Sequence, residues 1–258
     1  MITNTLPYNI STNISKKEYS QYALPEYLAE HYWWAYLSPK GVGFFDRPFI
    51  VNRILWGQYH KIAQDAVDLF SSENELVNTK EKVAGISCAY GEFFPKLAAH
   101  DNVEQLYLFD IAPIQLTQIQ KKTPAQVLND KCQLFLSNAE QISIANQCVD
   151  SSVLFFLLHE LPVFSRANVL SETIRITKPG GRIIIADYAE NQDKHFFNRI
   201  KVFNSVFEKL EPFLGDFWRC NIIDELSKQA QRHGRKIKVT SERYYFNRFY
   251  RLLEFTVE

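Results

Sequence analysis

A histidine and two acidic residues follow apolar runs that are typical of neighbouring strands in a sheet. His159 and Glu160 come at the end of the run that begins at Val153, and Asp187 lies in the run Arg182–Tyr188. A histidine at a strand end can move a proton or bind a metal ion, and carboxylates suit a hard divalent cation. The pattern therefore predicts His159, Glu160 and Asp187 as catalytic residues and as metal ligands. A hydrogen-bonded loop histidine and a carboxylate that only caps a strand are the plainer alternatives.

A further acidic residue, Asp110, ends another apolar run, 19 residues after Gly91. A carboxylate at such a strand end can accept hydrogen bonds from both hydroxyls of a ribose. Nicotinamide cofactors and S-adenosylmethionine both use this arrangement. The loop before it lacks the G-x-G-x-x-G spacing that a pyrophosphate needs, and the chain ends in a pair of strands, so S-adenosylmethionine is favoured. A strand-end cap is the alternative role for Asp110.

The loop after the first predicted strand departs from the usual methyltransferase pattern V-L-E-I-G-C-G-T-G. Gly85 takes the place of the acid, Ser87 and Ala89 replace two glycines, and Gly91 is retained. After the third strand, Asn138 could read the adenine edge with its amide, and Lys178–Arg182 is a turn typical of the scaffold. The predicted cofactor-binding residues are Ser87, Cys88, Ala89, Gly91, Asp110, Ile111, Gln115, Asn138, Ala139 and Leu157.

The elements that must position these residues alternate after Lys80 between short apolar runs and helical segments, which predicts a parallel sheet with crossover helices. The predicted strands are Val83–Ser87, Gln105–Asp110, Gln133–Leu136, Val149–Leu158 and Arg182–Tyr188, followed by an antiparallel hairpin of Ile237–Thr240 and Leu252–Val257. The predicted helices are Phe93–His100, Ile114–Lys121, Arg166–Ile176, His195–Leu214 and Ile222–His233.

The fold class is therefore α/β: a Rossmann-like class I methyltransferase sheet, mostly parallel, with a C-terminal antiparallel hairpin and an N-terminal helical cap. The predicted organisation is a polar tail over residues 1–24, the cap over 25–80 and the methyltransferase-like domain over 81–258.

Aromatic residues are concentrated in the predicted cap. The segment Pro25–Leu37 predicts a helix that Pro39, Gly41 and Gly43 end, and Pro48 lies at the start of a second helix. Consecutive tryptophans cannot both face one core, so at least one of the two is available to a pocket or a membrane interface. The predicted substrate-binding residues are Tyr32, Trp33, Tyr36 and Tyr188, with core packing as the alternative.

Composition excludes several classes of function. Twenty-nine basic and 29 acidic residues give a net charge of zero, so no basic excess favours nucleic acid as a partner. None of the four cysteines forms a C-x-x-C pair, which disfavours a zinc site or a disulfide framework. The longest apolar run is too short to span a bilayer. We expect a cytoplasmic protein that is peripherally associated with the inner membrane. The amphipathic helix His195–Leu214, with one apolar face and basic residues elsewhere, is one candidate for the membrane contact if its apolar face does not pack on the sheet.

Several strings together resemble the rhodoquinone biosynthesis protein RquA family, from about Pro25 to about Arg219. The strings are Tyr32–Tyr36, Ile54–Gly57, Cys88–Gly91, Asp110–Leu116, Phe155–Glu160 and Ala186–Tyr188. The resemblance implies a class I methyltransferase fold that exchanges a methoxy group of ubiquinone for an amino group. It also implies that S-adenosylmethionine supplies the nitrogen and that manganese (Mn²⁺) assists.

Gly85 is compatible with that chemistry, because without a carboxylate at this position nothing there pairs with the methionine ammonium. A neutral amine can then act as a nucleophile. Two alternatives stay open: a conventional methyltransferase that acts on a quinone or small aromatic, and a catalytically silent methyltransferase fold that serves as a scaffold.

Overall fold

The computed structural model describes residues 24–71, 80–88, 90–190 and 211–258. The chain divides into two compact units, one ending at Ala139 and the other beginning at Glu140. In the described ranges, no helix is long and apolar enough to cross a membrane.

The first unit begins with short helices, and they differ from the two predicted ones. They are α1 (Glu26–His31), a π-helical turn (Trp33–Leu37), α2 (Pro39–Phe45), α3 (Pro48–Ile54) and α4 (Tyr59–Asp68). The predicted end of the aromatic helix at Leu37 agrees with the structure, in which Ser38 is extended. Helix α2 directly after it was not predicted; Pro39 occupies its first turn, where its missing N–H and fixed φ are tolerated. Ser38 caps this helix by accepting a hydrogen bond from Gly41.

The sheet of the first unit is parallel, as predicted. Its strands and helices are β1 (Glu81–Ile86), α5 (Phe93–Ala99), β2 (Val103–Asp110), α6 (Pro113–Lys122), α7 (Ala125–Lys131) and β3 (Cys132–Leu136). Helix α7 was not predicted. Ile86 pairs with Phe109 and Asp110 pairs with Leu136, so the carboxyl ends of the three strands are in register. Ligand-binding residues are expected at this edge of a parallel sheet.

The second unit carries the predicted hairpin. Its elements are β4 (Val149–Phe155), a 3₁₀ turn (Leu158–Glu160), α8 (Val163–Ile176), β5 (Thr177–Tyr188), α9 (Leu214–Arg219), α10 (Ile222–Arg232), β6 (Ile237–Tyr245) and β7 (Tyr250–Val257). Strands β4 and β5 are parallel, and β7 runs antiparallel to both β5 and β6. The strand order is β3-β2-β1-β4-β5-β7-β6, which confirms a mostly parallel sheet with a C-terminal antiparallel hairpin. The predicted helix His195–Leu214 lies outside the described residues except for its end.

The inner strands of the sheet are largely buried on both faces, which explains their near-continuous apolar runs, whereas the edge strands β3 and β6 are partly exposed. In the first unit the side chains of Val83, Leu106 and Leu108 are fully buried, and in the second those of Val153 and Ile184 are. The strand ends, where polar side chains enter this apolar surrounding, are therefore the places where chemistry can be located.

Candidate cofactor site and candidate metal centre

Asp110 at the end of β2 is held by backbone groups of the two neighbouring loops. One carboxylate oxygen, Oδ2, accepts hydrogen bonds from the Cys88 N–H at 2.8 Å and the Ser87 hydroxyl at 3.3 Å. The other, Oδ1, accepts from the Ala112 N–H at 2.8 Å. Ser87 reaches this position with a φ of 69°, unusual for a residue other than glycine. The carboxylate is thus fixed in place: Oδ2 already accepts two hydrogen bonds, and Oδ1 has a further lone pair for a ligand hydroxyl.

The buried surroundings of Asp110 also set its charge. Burial raises the pKa of this carboxyl group, and the N–H groups of Cys88 and Ala112 lower it, with a net rise to about 6. Near neutral pH the ionised fraction of Asp110 is therefore smaller than that of an exposed aspartate. A ligand that donates hydrogen bonds to the carboxylate would stabilise its charge.

The loop at Gly91 is held by side chains of this chain. The Gly91 N–H donates to Asp46 Oδ1 at 3.0 Å, and Lys122 Nζ donates both to that oxygen at 2.6 Å and to the Gly91 carbonyl at 2.7 Å. Asp46 and Lys122 are both largely buried. Gly91 has a φ of 84°, which explains why glycine is retained here.

The N-terminus of α5, next to this loop, is closed by a tyrosine. The hydroxyl oxygen of Tyr59 accepts from the N–H groups of Glu92 at 2.7 Å and Phe93 at 2.9 Å. Burial raises the pKa of Tyr59, so the hydroxyl stays neutral. A Cβ atom added at Gly91 would come within 2.3 Å of this hydroxyl oxygen. The N–H groups of Gly91, Glu92 and Phe93 are therefore already used within the protein.

At Gly85, where the usual pattern has an acid, the structure has an apolar wall. A Cβ atom built there would lie 2.4 Å from a methyl group of Leu108 and 2.5 Å from the ring of Phe94. A larger side chain at this position would require Leu108 or Phe94 to move, so the space next to the glycine is occupied by apolar side chains.

Aromatic rings of the cap pack on this loop. Tyr36 stacks on Tyr90 with ring centroids 5.0 Å apart, and the Tyr90 hydroxyl donates to the Ala35 carbonyl at 2.5 Å. The Gln115 amide donates to the Tyr36 carbonyl at 3.3 Å and to the Tyr90 oxygen at 3.4 Å. The predicted cofactor residue Gln115 is thus joined to the predicted substrate residue Tyr36.

Most predicted cofactor residues of the first unit lie at the same edge as Asp110. Ile111 follows it directly, and Asn138 and Ala139 follow β3, all three half-buried. Leu157 is buried in the second unit. Ala89 lies outside the described residues.

The predicted substrate residues have different surroundings from one another. Tyr32 is fully buried in the core of the first unit, so the structure places it in packing, whereas Trp33 and Tyr36 are half-buried. Tyr188 is buried in the second unit, with its ring 4.8 Å from that of His159. The most exposed ring in this aromatic segment is that of Trp34.

His159 is the centre of the second group, at the ends of β4 and β5. Its Nδ1 is 2.7 Å from Asp187 Oδ1, and both oxygens of Asp187 also accept backbone hydrogen bonds, from Leu158 and from Tyr188. Burial alone would lower the pKa of His159, but the adjacent carboxylates of Asp187, Glu211 and Glu160 outweigh it and raise the pKa to about 9.

The group that could hold a metal ion differs from the predicted one in a single member. His159, Glu160 and Glu211 each offer a ligand atom, and these atoms lie within 4.8 Å of one another. His159 Nε2 is 3.8 Å from Glu160 Oε1. Asp187, predicted as a ligand, instead binds the opposite nitrogen of His159 and orients the ring. A carboxylate in this position is common behind metal-bound histidines.

Sequence reasoning missed the residues that come from distant elements. Glu211 has no spacing that relates it to His159, and the predicted helix that contains it gave no signal of a ligand. Asp46, Tyr59 and Lys122 hold the Gly91 loop from 31 to 45 residues away. In a single sequence nothing distinguishes them from surface or core residues.

Comparisons with known proteins agree with this geometry. Residues 84–185 match the family model described as a methyltransferase domain, which is less than half of the chain. No curated protein matches.

Solved structures show the fold. An O-methyltransferase family protein from Burkholderia thailandensis is 17% identical with a TM-score of 0.55; the match covers 86% of this chain but 63% of that one. N-methyltransferase NodS from Bradyrhizobium japonicum, in complex with S-adenosyl-L-homocysteine, is 13% identical over 95% of this chain and 98% of its own, with a TM-score of 0.51. The [4+2]-cyclase SpnF is 11% identical over 74% of this chain and 79% of its own, with a TM-score of 0.55. The chain therefore has the class I methyltransferase fold, as predicted.

Proposed function

We propose that this protein binds S-adenosylmethionine and transfers its amino nitrogen to a ubiquinone-type ring, where the nitrogen displaces a methoxy group. The observation that carries the proposal is the combination of a carboxylate held in place at the end of β2, Asp110, with a loop region that has Gly85 in place of the acid and whose N–H groups at Gly91, Glu92 and Phe93 are bonded within the protein. This combination would keep the cofactor and change the way its amino group is held.

The nucleoside end of the cofactor has its binding groups in the first unit. Asp110 is already oriented by three hydrogen bonds, so binding a ribose hydroxyl at Oδ1 costs little reorganisation. A second hydroxyl would take the place of the Ser87 hydroxyl on Oδ2, the longest of the three hydrogen bonds. The half-buried Asn138 follows at the next strand end and can supply an amide for the adenine edge. S-Adenosylhomocysteine bound to the structural neighbour NodS supports the same ligand class.

The amino end of the cofactor would meet no carboxylate at position 85. Leu108 and Phe94 fill the space in which an acid would stand. An amine next to apolar side chains loses part of the solvation that favours its charged form, so its pKa falls and its lone pair becomes available. This is the property that a nucleophilic nitrogen needs.

The group of His159, Glu160 and Glu211 fits a hard divalent cation such as Mn²⁺. One nitrogen and two carboxylates are suitable ligands, and Asp187 holds His159 with Nε2 facing Glu160. A cation bound there would polarise a quinone oxygen. His159 must give up its proton to become a ligand, and its raised pKa makes that step dependent on pH.

The reaction is an addition followed by an elimination on the quinone ring. The nitrogen forms a bond to the ring carbon that carries the methoxy group, the bond from carbon to methoxy oxygen breaks, and the amine proton leaves with methoxide as methanol. The bond between the nitrogen and Cα of the cofactor then breaks by elimination: a proton leaves the neighbouring Cβ, its electron pair forms a double bond between Cα and Cβ in the released fragment, and the nitrogen keeps the N–Cα electron pair and takes up a proton, so that a free amino group remains on the ring.

Conventional methyl transfer to a quinone or small aromatic is the second candidate, favoured by the family model and by the methyltransferases among the structural neighbours. The neighbour named as a [4+2]-cyclase shows that this fold is not restricted to methyl transfer. A scaffold without activity is the third candidate, and the prepared carboxylate of Asp110 is an argument against it.

One experiment distinguishes the three. Purified protein, Mn²⁺ and a short-chain ubiquinone analogue are incubated with S-adenosylmethionine labelled with ¹⁵N at its amine or, in parallel, with ¹³C at its methyl group. Mass spectrometry of the quinone should show a lighter product that contains ¹⁵N. A heavier product that contains ¹³C would replace the proposal with methyl transfer, and unchanged quinone together with no cofactor binding would favour the scaffold.

The metal ligands are tested separately by titration with Mn²⁺, followed by the electron paramagnetic resonance of the free ion. Glu211→Gln should weaken Mn²⁺ binding at least tenfold, whereas Glu104→Gln, which changes an exposed carboxylate on β2, should leave it unchanged. Equal affinities of the two variants would remove Glu211 from the proposed site.

A further inference from the structure

Exposed large apolar side chains are concentrated in one segment of the first unit. Among the described residues, eight such side chains are exposed, and five of them lie between residues 34 and 56. These five define the apolar patch, and they are Trp34, Phe44, Phe49, Ile54 and Trp56. Phe49 is 70% exposed, and Trp34, Phe44 and Ile54 are each a little under half exposed. Scattered apolar residues are normal on a protein surface, but these five lie in one short segment whose successive helices contact one another, and such a concentration indicates a binding surface.

The helices that carry the patch already pack other apolar side chains into the protein interior. Each of the helices α2 and α3 already buries an apolar side chain, Val42 in α2 and Val51 in α3, and Leu55 after α3 is also buried. The exposed rings therefore lie on the outer sides of helices that are already packed. Phe44 and Trp34 are linked through Phe45, whose ring is 5.1 Å from the first and 5.2 Å from the second.

Positively charged side chains lie in the same segment as the patch. Lys40, Arg47 and Arg53 are exposed, and the guanidinium of Arg47 lies 5.9 Å from the centre of the Phe44 ring. Between His31 and Gln64 the sequence contains one acidic residue, Asp46. Its carboxylate is paired with Lys122 at 2.6 Å and is largely buried. The surface around the aromatic rings therefore carries cations whose charge no exposed carboxylate of the segment offsets.

We infer that the apolar patch and its cations bind the surface of an anionic lipid bilayer. Tryptophan and phenylalanine rings insert at the boundary between headgroups and acyl chains, and each nearby lysine or arginine adds attraction to anionic lipid. Short helices that present rings on their outer sides can dock in this way without crossing the membrane. The inference does not depend on the proposed reaction, because it uses neither the cofactor residues nor the metal group.

Vesicle sedimentation tests the inference directly. The full-length protein should bind vesicles of phosphatidylcholine that contain 30% phosphatidylglycerol and should bind vesicles of pure phosphatidylcholine at least tenfold more weakly. Binding should fall as salt increases, since the cations are exposed. Tryptophan fluorescence should be quenched by brominated acyl chains in the anionic vesicles.

Two variants and one matched control identify the surface. Phe49→Ser should reduce the vesicle partition coefficient about tenfold, because most of a phenylalanine side chain loses its place in the bilayer. Arg47→Glu together with Arg53→Glu should abolish the preference for anionic lipid. Phe164→Ser removes a ring that is 76% exposed on α8 of the other unit and should leave binding unchanged.

Each other outcome contradicts the inference. Equal binding to both kinds of vesicle, an equal loss in Phe49→Ser and Phe164→Ser, or no binding at all would overturn it. A second copy of the chain is the alternative partner for the patch, and sedimentation equilibrium without lipid tests it. A dimer that Phe49→Ser dissociates would assign the patch to this dimer and overturn the inference. Unchanged melting temperatures of the variants would show that the losses do not come from unfolding.

Discussion

The buried carboxylate of Asp110 makes ligand binding sensitive to pH in a range that is easily measured. Its pKa rises from 3.8 to about 6, a difference that corresponds to about 3 kcal/mol of penalty for the charged form. A ribose donates two hydroxyl hydrogens, so it binds the ionised carboxylate and competes with a proton. Affinity should therefore be constant above about pH 7 and fall as pH decreases through 6. At pH 5 about one molecule in ten is ionised, so the dissociation constant should rise roughly tenfold.

Isothermal titration calorimetry with S-adenosylhomocysteine at pH 5, 6, 7 and 8 measures this dependence. Asp110→Asn should bind the ligand at least tenfold more weakly at pH 8, because it loses charge-assisted hydrogen bonds, and its affinity should not change with pH over this range. Asp101→Asn, at an exposed position before β2, should behave as the unmodified protein does. A flat profile for the unmodified protein, or the same tenfold loss at pH 5 in Asp110→Asn, would refute the assignment of Asp110 as the titrating ribose ligand.

The same proton has an effect on stability, and its sign is opposite to that of a salt-bridged aspartate. The folded state binds the proton more tightly than the unfolded state, in which the pKa is near 3.8. Between about pH 4 and pH 6 the folded form therefore holds more protons, and its stability without ligand falls as pH increases. Saturating ligand should remove most of this fall.

Three further changes test the site. Gly91→Ala should lower the free energy of unfolding, measured in urea, by about 1–3 kcal/mol, because the residue has a φ of 84° and its Cβ would clash with a buried tyrosine hydroxyl. The control Gly43→Ala, in a helix with open space around it, should be neutral or stabilising. The affinity for Mn²⁺ should increase as pH rises towards about 9, since His159 must lose a proton to bind the ion. His159→Gln should bind the ion weakly and show no such dependence on pH. An affinity of the unmodified protein that does not change with pH would contradict the ligand role of His159. A double-mutant cycle of Asp46→Asn and Lys122→Met should give a coupling energy on the order of 1–3 kcal/mol, and additive effects would show that the pair does not hold the Gly91 loop as a unit.

Some predictions about the site agree with the structure because they depend on local pattern alone. Asp110 and Asp187 end apolar runs, and the ends of parallel strands lie at one edge of a sheet, so their positions follow from periodicity. The strand pair at the C-terminus was also predicted, from its β-rich composition and its separation along the chain. Helices in the cap were predicted less well. Pro39, Gly41 and Gly43 do follow the end of the aromatic helix, but they also form a short helix of their own, which their composition does not predict.

The sequence by itself determined the order of the strands along the chain, the class of fold and the acidic residue at the end of β2, because each of these is encoded in residues close together in the chain. Only the tertiary structure decided that Glu211 joins His159 and Glu160, that Asp187 orients the histidine, and that Tyr59, Asp46 and Lys122 occupy the groups of the Gly91 loop. It also decided which aromatic rings of the cap are buried and which are exposed. These contacts join residues that are tens of positions apart, and the free energy that selects them comes from packing and charge pairing, which no local pattern records.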